Sequence, residues 1–284
     1  MREFITSTTN PKIKNLLLLQ EKSKARREQG LFVVEGQREL EHCIEAGYKV
    51  HTVFVCPEVA GASPFNSADF YFSGRCPKNQ NSASYVLRHL TREAPIIEVS
   101  EAVYRKIAYR EGTEGIIAEV EAMHIGLEDL VLPENPLIVV LEAVEKPGNL
   151  GAVLRSADAA KADAVIVCDP LTDLYNPNLI RASIGAIFTV PTVAASSEET
   201  ISFLKAKGVK ILTAQLQDSS LYYDVDMKCG TAIVMGTEST GLTDVWRRAA
   251  DAHIRIPMLG RLDSLNVSVS ASILLFEAVR QRMA

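Results

Sequence analysis

The sequence contains few cysteines, and none of them falls in a pattern typical of a disulfide framework or a metal site. The 284-residue chain has five cysteines, an odd number, scattered without a C-x-x-C pair. Its five histidines likewise show no metal-ligand spacing. This pattern argues against disulfide bonds and a zinc site and favours a reducing compartment. We therefore expect no metal ion.

Long hydrophobic runs are also absent from the sequence. No stretch approaches the ~20 apolar residues that a membrane-spanning helix requires, and the apolar run Leu16–Leu19 is too short for a signal peptide. The sequence has no P-loop pattern and no G-x-G-x-x-G after a strand. We expect a cytoplasmic protein with no membrane partner and no ordinary ATP or dinucleotide site.

Charge is unevenly distributed along the chain, although the net charge is only −5. Residues 1–110 hold 16 Lys and Arg against 12 Asp and Glu, whereas residues 111–284 hold 14 against 23. Six of the basic residues lie between Lys12 and Arg27, with Glu21 as the one acidic residue among them. A basic N-terminal region on an acidic body suits a domain that binds phosphates. A solvated helix face is an equally compatible interpretation of the same residues.

The first hundred residues have the pattern of a small α/β domain. The predicted elements are a helix from Asn10-Pro11, a strand at Leu31–Val34, a helix that stops at Gly47 and a strand at Val50–Val55. Residues 58–82 are predicted as loops around one short aromatic strand. A polar stretch at 109–115 is predicted to be the linker, which gives domains at 1–106 and 112–284.

The C-terminal part alternates predicted strands and helices, as in a mostly parallel sheet flanked by helices. Strands are predicted at Leu137–Leu141, Ala164–Cys168, Val209–Ala214, Thr231–Met235 and His253–Ile256. Helices are predicted from Asn149, from about Pro177, after Ser196 and from Leu265. Ser196 and Glu199 form a capping-box pattern at the start of the third of these helices. The fold class that the sequence predicts is therefore α/β.

Three segments of this part combine glycine with short polar side chains, at residues 149–155, 235–242 and 256–270. Asn149 and Ser264 are placed where a helix cap is ordinary. Arg155 is compatible with a solvated charge beside a packed helix face. Glu238 follows a buried strand in a glycine loop, where carboxylates often accept hydrogen bonds from loop amides.

In their order and spacing, these three segments closely resemble the signature of the SpoU/TrmH family. Its members are knotted methyltransferases that use S-adenosylmethionine to methylate ribose 2′-hydroxyls in RNA. The resemblance implies a trefoil knot near the C-terminus and a homodimer whose active site is completed across the interface. Near the N-terminus, the run from Phe32 to Glu35-Gly36 resembles the small ribosomal-protein-like substrate-binding domain found in front of many such enzymes, although a strand-ending turn also explains it.

The resemblance also implies which residues carry the activity. Arg155 matches the central catalytic residue of the family, and the other catalytic positions carried over are Asn149, Glu238, Ser264 and Asn266. The cofactor contacts carried over are Gly236, Ile256, Leu265 and, less directly, Thr213. Adenine is recognised by backbone groups and apolar walls, which suits glycine, isoleucine and leucine.

The chemistry of arginine limits the role of Arg155. A guanidinium group stays protonated at neutral pH, so it is poorly suited to remove a proton from a ribose hydroxyl. A fixed cation can instead hold the target phosphate and stabilise the hydroxyl as it loses its proton. The residue that accepts the proton is not identified by the sequence.

We expect RNA rather than DNA as the partner, and rRNA rather than tRNA, because the N-terminal domain resembles that of rRNA-directed members. Three alternatives stay open from the sequence. The chain is also compatible with a base-methylating enzyme of the same superfamily, with a non-catalytic RNA-binding protein on the same scaffold, and with a small-molecule-binding protein that has no RNA partner.

Overall fold

The computed structural model describes residues 3–60, 94–109, 114–237 and 240–283. The chain forms two compact units. Unit 1 consists of residues 1–123 together with Tyr175–Arg181, and unit 2 consists of residues 124–174 and 182–284. Most of the loop region predicted at 58–82 lies outside the described residues.

Unit 1 is built on a mixed sheet. The strand order in the described residues is β1 (Glu3–Ile5), β4 (Ile96–Val99), β3 (Val50–Val55), β5 (Ile116–Glu121) and β2 (Leu31–Glu35). Strands β1, β4 and β3 are parallel to one another, whereas β5 is antiparallel to both β3 and β2. Helices span Pro11–Glu21, Ser23–Gln29, Gln37–Glu45, Pro57–Ala60 and Glu101–Ile107.

The first helix starts where its sequence requires. The Asn10 side chain accepts a hydrogen bond from the backbone N–H of Lys12, and Pro11 occupies the first helical position. The buried face of this helix carries Ile13, Leu16 and Leu19. Its spacing of three residues places these side chains on one side of the helix.

Strand β5 corrects the predicted domain boundary. It follows the stretch predicted to be the linker, yet it pairs with β2 and β3 along almost its whole length. Unit 1 therefore continues to residue 123, well past the predicted end at 106. No local pattern could place β5 in unit 1, because its pairing with β2 and β3 joins segments that lie far apart in the chain.

Unit 2 is built on a parallel sheet, which confirms the predicted α/β fold. The strand order is β10 (Ser220–Leu221), β12 (Ala252–Arg255), β9 (Lys210–Ala214), β11 (Thr231–Met235), β6 (Leu137–Glu142), β7 (Ala164–Cys168) and β8 (Thr192–Ala195). Every pair in this sheet is parallel. Its central strands are buried along their whole length, as expected when both faces of a parallel sheet are covered.

The helices associated with unit 2 span Pro147–Ala159, Ala186–Thr189, Ser197–Ala206, Asp244–Ala249 and Val267–Met283. Another helix, Pro177–Ser183, begins in unit 1 and ends in unit 2, and short 3-10 turns occur at Leu127–Asp129 and Tyr222–Asp224. The capping box of Ser196 and Glu199 is present. Within the described ranges, no helix is long and apolar enough to cross a membrane.

Arg282 ties the end of the C-terminal helix to the base of the parallel sheet. Its guanidinium donates hydrogen bonds of 2.7–3.0 Å to four backbone carbonyls, those of Met227, Cys229, Asn135 and Pro136. These carbonyls lie in the turns that precede β11 and β6. Burial lowers the pKa of Arg282. One side chain thus satisfies the Met227 and Asn135 carbonyls and adds a second hydrogen bond to those of Cys229 and Pro136, which also accept from Thr231.

We predict that Arg282→Ala lowers the free energy of unfolding by about 2–4 kcal/mol, because several charge-assisted hydrogen bonds are lost together. Urea unfolding followed by circular dichroism measures this change. The control is Arg248→Ala, which removes an exposed arginine that has no hydrogen bond or ion pair with the described residues. Equal stability of the two variants would contradict the role given to Arg282.

Candidate active site

The predicted motif residues follow four neighbouring strands of the parallel sheet. Asn149 comes after β6, Gly236 after β11 and Ile256 after β12, while Thr213 lies near the end of β9. These strands are consecutive neighbours in the order β12, β9, β11, β6. Because all of them are parallel, their carboxyl ends meet at one edge of the sheet, which is where ligands bind in such folds.

Asn149 and Asn266 contact each other, although they lie 117 positions apart in the chain. The Asn266 Nδ2 atom donates a hydrogen bond of 3.2 Å to Asn149 Oδ1. Beside them is a cavity of about 230 Å³ lined by Val144, Glu145, Lys146, Asn149, Gly236, Thr237 and Val267. The structure therefore brings the first and third predicted motifs together with the start of the second.

The two helix caps differ from the prediction. Asn149 is the third residue of the helix Pro147–Ala159 and not its cap. The C-terminal helix begins at Val267, two residues later than predicted, and Asn266 caps it by accepting a hydrogen bond of 3.0 Å from the Ser268 N–H. Ser264 is exposed, and its hydroxyl donates instead to Asp263. The amide of Asn266 thus both caps a helix and holds Asn149.

A second cavity, of about 150 Å³, lies beside the ends of β9 and β12. It is lined by Ala214, Gln215, Leu216, Ile254, Arg255, Ile256, Met258, Asp263, Ser264, Leu265, Ser270 and Leu274. Its size is below the roughly 300–1,000 Å³ of a typical ligand site, so it suits one part of a larger ligand. Two predicted cofactor positions, Ile256 and Leu265, line it, and the predicted Ser264 lies beside them.

Gln215 gives this second cavity an unusual polar group that the sequence prediction missed. Its Nε2 donates to the Gln217 carbonyl, but its Oε1 is buried and has no hydrogen-bond partner among the described residues. A buried acceptor without a donor is costly. A ligand that brings an N–H group between apolar walls would satisfy it, as the amino group of an adenine ring does. The residues present therefore fit a nucleoside.

The structure places Thr213 and Gly236, the other two predicted cofactor contacts, differently relative to the two cavities. Thr213 is fully buried, and its hydroxyl lies 2.6 Å from His253 Nδ1. It does not line the cavity of about 150 Å³, whose wall instead contains the next two residues, Ala214 and Gln215. Gly236 lines the cavity beside Asn149. A Cβ atom at position 236 would overlap the backbone of Gly241 and Leu242. Glycine is required there because the loop folds back onto itself.

Arg155 is exposed on the helix Pro147–Ala159, and the described residues offer its guanidinium no hydrogen bond or ion pair. Six residues separate it from Asn149, which corresponds to a rise of about 9 Å and a rotation of roughly 240° about the helix. The two side chains therefore leave the helix in different directions. Glu238, the remaining predicted catalytic residue, lies outside the described residues.

Glu142 is a second residue that sequence reasoning missed. It is buried at the end of β6, where its carboxylate accepts hydrogen bonds of 2.8 and 2.6 Å from the backbone N–H and the hydroxyl of Thr243. Thr243 closes the loop that begins at Gly236. The carboxylate thus fixes the second motif against the strand that leads into the first. A charged residue at the end of the apolar run Leu137–Leu141 was the available indication in the sequence.

Cys168, at the end of the neighbouring strand β7, is not a reactive thiol. It is buried, and its Sγ donates a hydrogen bond to the Thr200 hydroxyl. Burial raises the pKa of Cys168 to about 12. The thiol is therefore neutral at physiological pH and is not activated as a nucleophile.

Across the described residues, no group of three or more His, Cys, Asp or Glu side chains is arranged to hold a metal ion. The expectation that no metal takes part stays a prediction.

Comparison with known proteins identifies the family. The SpoU rRNA Methylase family matches residues 136–276, and the MRM3-like substrate binding domain matches residues 10–118. A 23S rRNA (guanosine-2′-O-)-methyltransferase RlmB from Ralstonia nicotianae is 37% identical over 183 residues, which cover 63% of this chain and 74% of that protein. The chain belongs to the SpoU rRNA methylase family, which confirms the resemblance seen in the sequence.

Two solved structures extend the similarity over nearly the whole chain. A crystal structure of an RNA 2′-O ribose methyltransferase is 38% identical, has a TM-score of 0.79 and covers 99% of this chain and 100% of its own. An AdoMet-bound rRNA methyltransferase from Sinorhizobium meliloti is 30% identical, has a TM-score of 0.83 and covers 98% and 97%.

We predict that Glu142 and Thr243 are energetically coupled. In a double-mutant cycle of Glu142→Ala and Thr243→Ala, the two losses of unfolding free energy should differ from additivity by about 1–3 kcal/mol, because both changes remove the hydrogen bond from the Thr243 hydroxyl to the Glu142 carboxylate. Urea unfolding of the four proteins gives this coupling. Additivity within about 0.3 kcal/mol would show that the carboxylate does not hold the loop.

Proposed function

We propose that this protein is an S-adenosylmethionine-dependent methyltransferase that modifies a ribose 2′-hydroxyl in rRNA. The observation that carries the proposal is the contact between Asn149 and Asn266 at the carboxyl edge of the parallel sheet, beside two cavities. Membership of the SpoU family supports the reaction, and the rRNA substrates in the names of relatives such as RlmB support the substrate class.

The cavity that contains Gln215, Ile256 and Leu265 would hold the nucleoside part of S-adenosylmethionine, with the unpartnered Oε1 of Gln215 accepting a hydrogen bond. The AdoMet-bound structure from Sinorhizobium meliloti supports this cofactor. S-adenosylmethionine supplies a methyl group on a sulfonium ion. The transfer needs alignment of the ribose hydroxyl more than Lewis acidity, which agrees with a site built from amides and apolar walls.

Arg155 would act on the RNA. Its permanently charged guanidinium suits a phosphate next to the target ribose and stabilises negative charge as it develops on the 2′-oxygen. The amides of Asn149 and Asn266 would position the ribose, with Ser264 donating to the phosphate or ribose and Glu238 ordering the loop. The acceptor of the hydroxyl proton is a separate group that these residues do not identify.

We also propose that the active form is a homodimer. The Arg155 and Asn149 side chains point away from their helix in different directions. Both can most simply face one RNA if Arg155 comes from one copy and Asn149 from the other. Exposed apolar side chains on and before the C-terminal helix support such an interface, at Leu259, Leu262, Val269 and Phe276. The trefoil knot implied by the resemblance stays part of this proposal, supported by the return of the segment after Ile256 to Asn149.

Unit 1 would bind RNA. Exposed cations on and between its first two helices support this role, at Lys14, Lys22 and Arg27. Arg26 is excluded from the basic surface because it is buried, with its guanidinium donating to the carbonyls of Leu19 and Gln20. The choice of rRNA over tRNA rests on the relatives, and the cytoplasmic location predicted from cysteine usage stays a prediction.

We predict that Arg155→Ala lowers the rate of methyl transfer to rRNA by about 10²–10³-fold, the loss expected when one electrostatic contact to the transition state is removed. Affinity for S-adenosylmethionine should stay within about twofold of the unmodified protein, because Arg155 lines neither cavity. Single-turnover kinetics and equilibrium dialysis give the two quantities. The matched control is Lys205→Ala, an exposed cation on another helix. Unchanged turnover in Arg155→Ala would contradict the assignment.

A further inference from the structure

Unit 1 contains a cavity of its own, of about 400 Å³, which is within the size range of small-ligand sites. Its wall includes Glu35, Gly36, Glu39, Tyr109 and Arg181. All of these residues belong to unit 1. None of them was assigned a binding role by the site described above.

Glu39 makes this cavity chemically unusual. It lies in the first turn of the helix Gln37–Glu45 and is only 7% exposed. Its carboxylate has no hydrogen bond or ion pair with the described residues. A buried carboxylate is costly unless hydrogen-bond donors surround it. Because the described residues supply no donor to it, a ligand that brings N–H donors into the cavity would gain from this group.

The backbone around Gly36 makes room for the carboxylate. Gly36 has a φ of 106°, and a Cβ atom there would lie 2.5 Å from Glu39 Oε2. Any other residue at this position would displace the carboxylate from the cavity wall. This gives the Glu35-Gly36 pair a function beyond a strand-ending turn.

An aromatic side chain and an arginine form a flat surface at the same cavity. Glu35 Oε2 accepts a hydrogen bond of 2.9 Å from the Tyr109 N–H, and the Tyr109 side chain is 48% exposed. The Arg181 guanidinium lies 4.7 Å from the centre of the Tyr109 ring. Tyr175 anchors the segment that carries Arg181, since its ring stacks on Phe32 with 4.3 Å between centroids.

Proteins bind unpaired RNA bases by stacking them on aromatic or guanidinium planes and by hydrogen bonding to their Watson–Crick edge. The Tyr109–Arg181 pair offers such a plane, and the Glu39 carboxylate offers a hydrogen-bond acceptor at the same cavity. Guanine alone among the four bases presents two adjacent donors there, N1–H and the N2 amino group, as a carboxylate requires. Adenine and cytosine place an acceptor beside one amino group. Uracil places its single N–H between two carbonyls, which a carboxylate repels.

We propose that this cavity binds one unpaired guanine of the RNA substrate, with Glu39 accepting the N1–H and N2–H hydrogen bonds and the Tyr109–Arg181 pair stacking on the base. The proposal rests on the proposed function, since it takes the ligand to be RNA. It adds a base-specific contact in unit 1 to a reaction that occurs at a ribose.

The test uses the full chain and labelled seven-nucleotide oligouridines in which the central nucleoside is guanosine, inosine or adenosine. Inosine differs from guanosine only by the missing N2 amino group. Fluorescence anisotropy should show guanine bound more tightly than inosine or adenine by roughly 5- to 100-fold, the usual range for a bidentate base contact. Glu39→Gln should abolish this preference, while Glu45→Gln, an exposed glutamate on the same helix, should keep it.

A second variant keeps the test decisive if Glu39→Gln is unstable. Tyr109→Ala, at an exposed side chain, should weaken binding of all three RNAs by a similar factor and leave the guanine-to-inosine ratio unchanged. Equal binding of the three RNAs by the unmodified protein, or a guanine preference that persists in Glu39→Gln, would overturn the proposal. Methyl transfer to rRNA, measured in parallel, separates these failures from a failure of the proposed function, in which no transfer occurs at all.

Discussion

The parallel direction of the strands in unit 2 is the constraint on which the site depends. It places the carboxyl ends of β6, β11, β9 and β12 at one edge, so that loops separated by about a hundred residues converge there. The hydrogen bond between Asn149 and Asn266 is possible only because of this convergence. Glu142 then fixes the loop after β11 to the end of β6 through its hydrogen bonds with Thr243.

Buried polar groups that lack partners mark the functional surfaces of both units. Glu142 shows how the chain treats a buried charge elsewhere, since its carboxylate accepts hydrogen bonds from the Thr243 N–H, the Thr243 hydroxyl and the Ser197 hydroxyl. Gln215 Oε1 is buried without a partner among the described residues, the Glu39 side chain, 7% exposed, makes no hydrogen bond with them, and each residue lines a cavity. The same physical observation thus points to a nucleoside site in unit 2 and to a base site in unit 1.

Structural features that depend only on residues close together in the sequence, such as helix caps, could be predicted. The Asn10 cap and the Ser196 capping box are of this kind. Contacts that depend on chain segments far apart could not be predicted. The pairing of β5 with β2, the bonds of Glu142 to Thr243 and the burial of the Thr213 side chain all require the register of a sheet that no local pattern specifies.

Incubation of the purified protein with labelled S-adenosylmethionine and unmethylated rRNA, followed by alkaline hydrolysis, tests the central claim most directly. A methylated ribose lacks the 2′-hydroxyl that attacks the neighbouring phosphate, so that linkage survives alkali. If the protein methylates a ribose 2′-hydroxyl, the label is expected in alkali-resistant dinucleotides. Label recovered only in mononucleotides would contradict it and would point to methylation of a base.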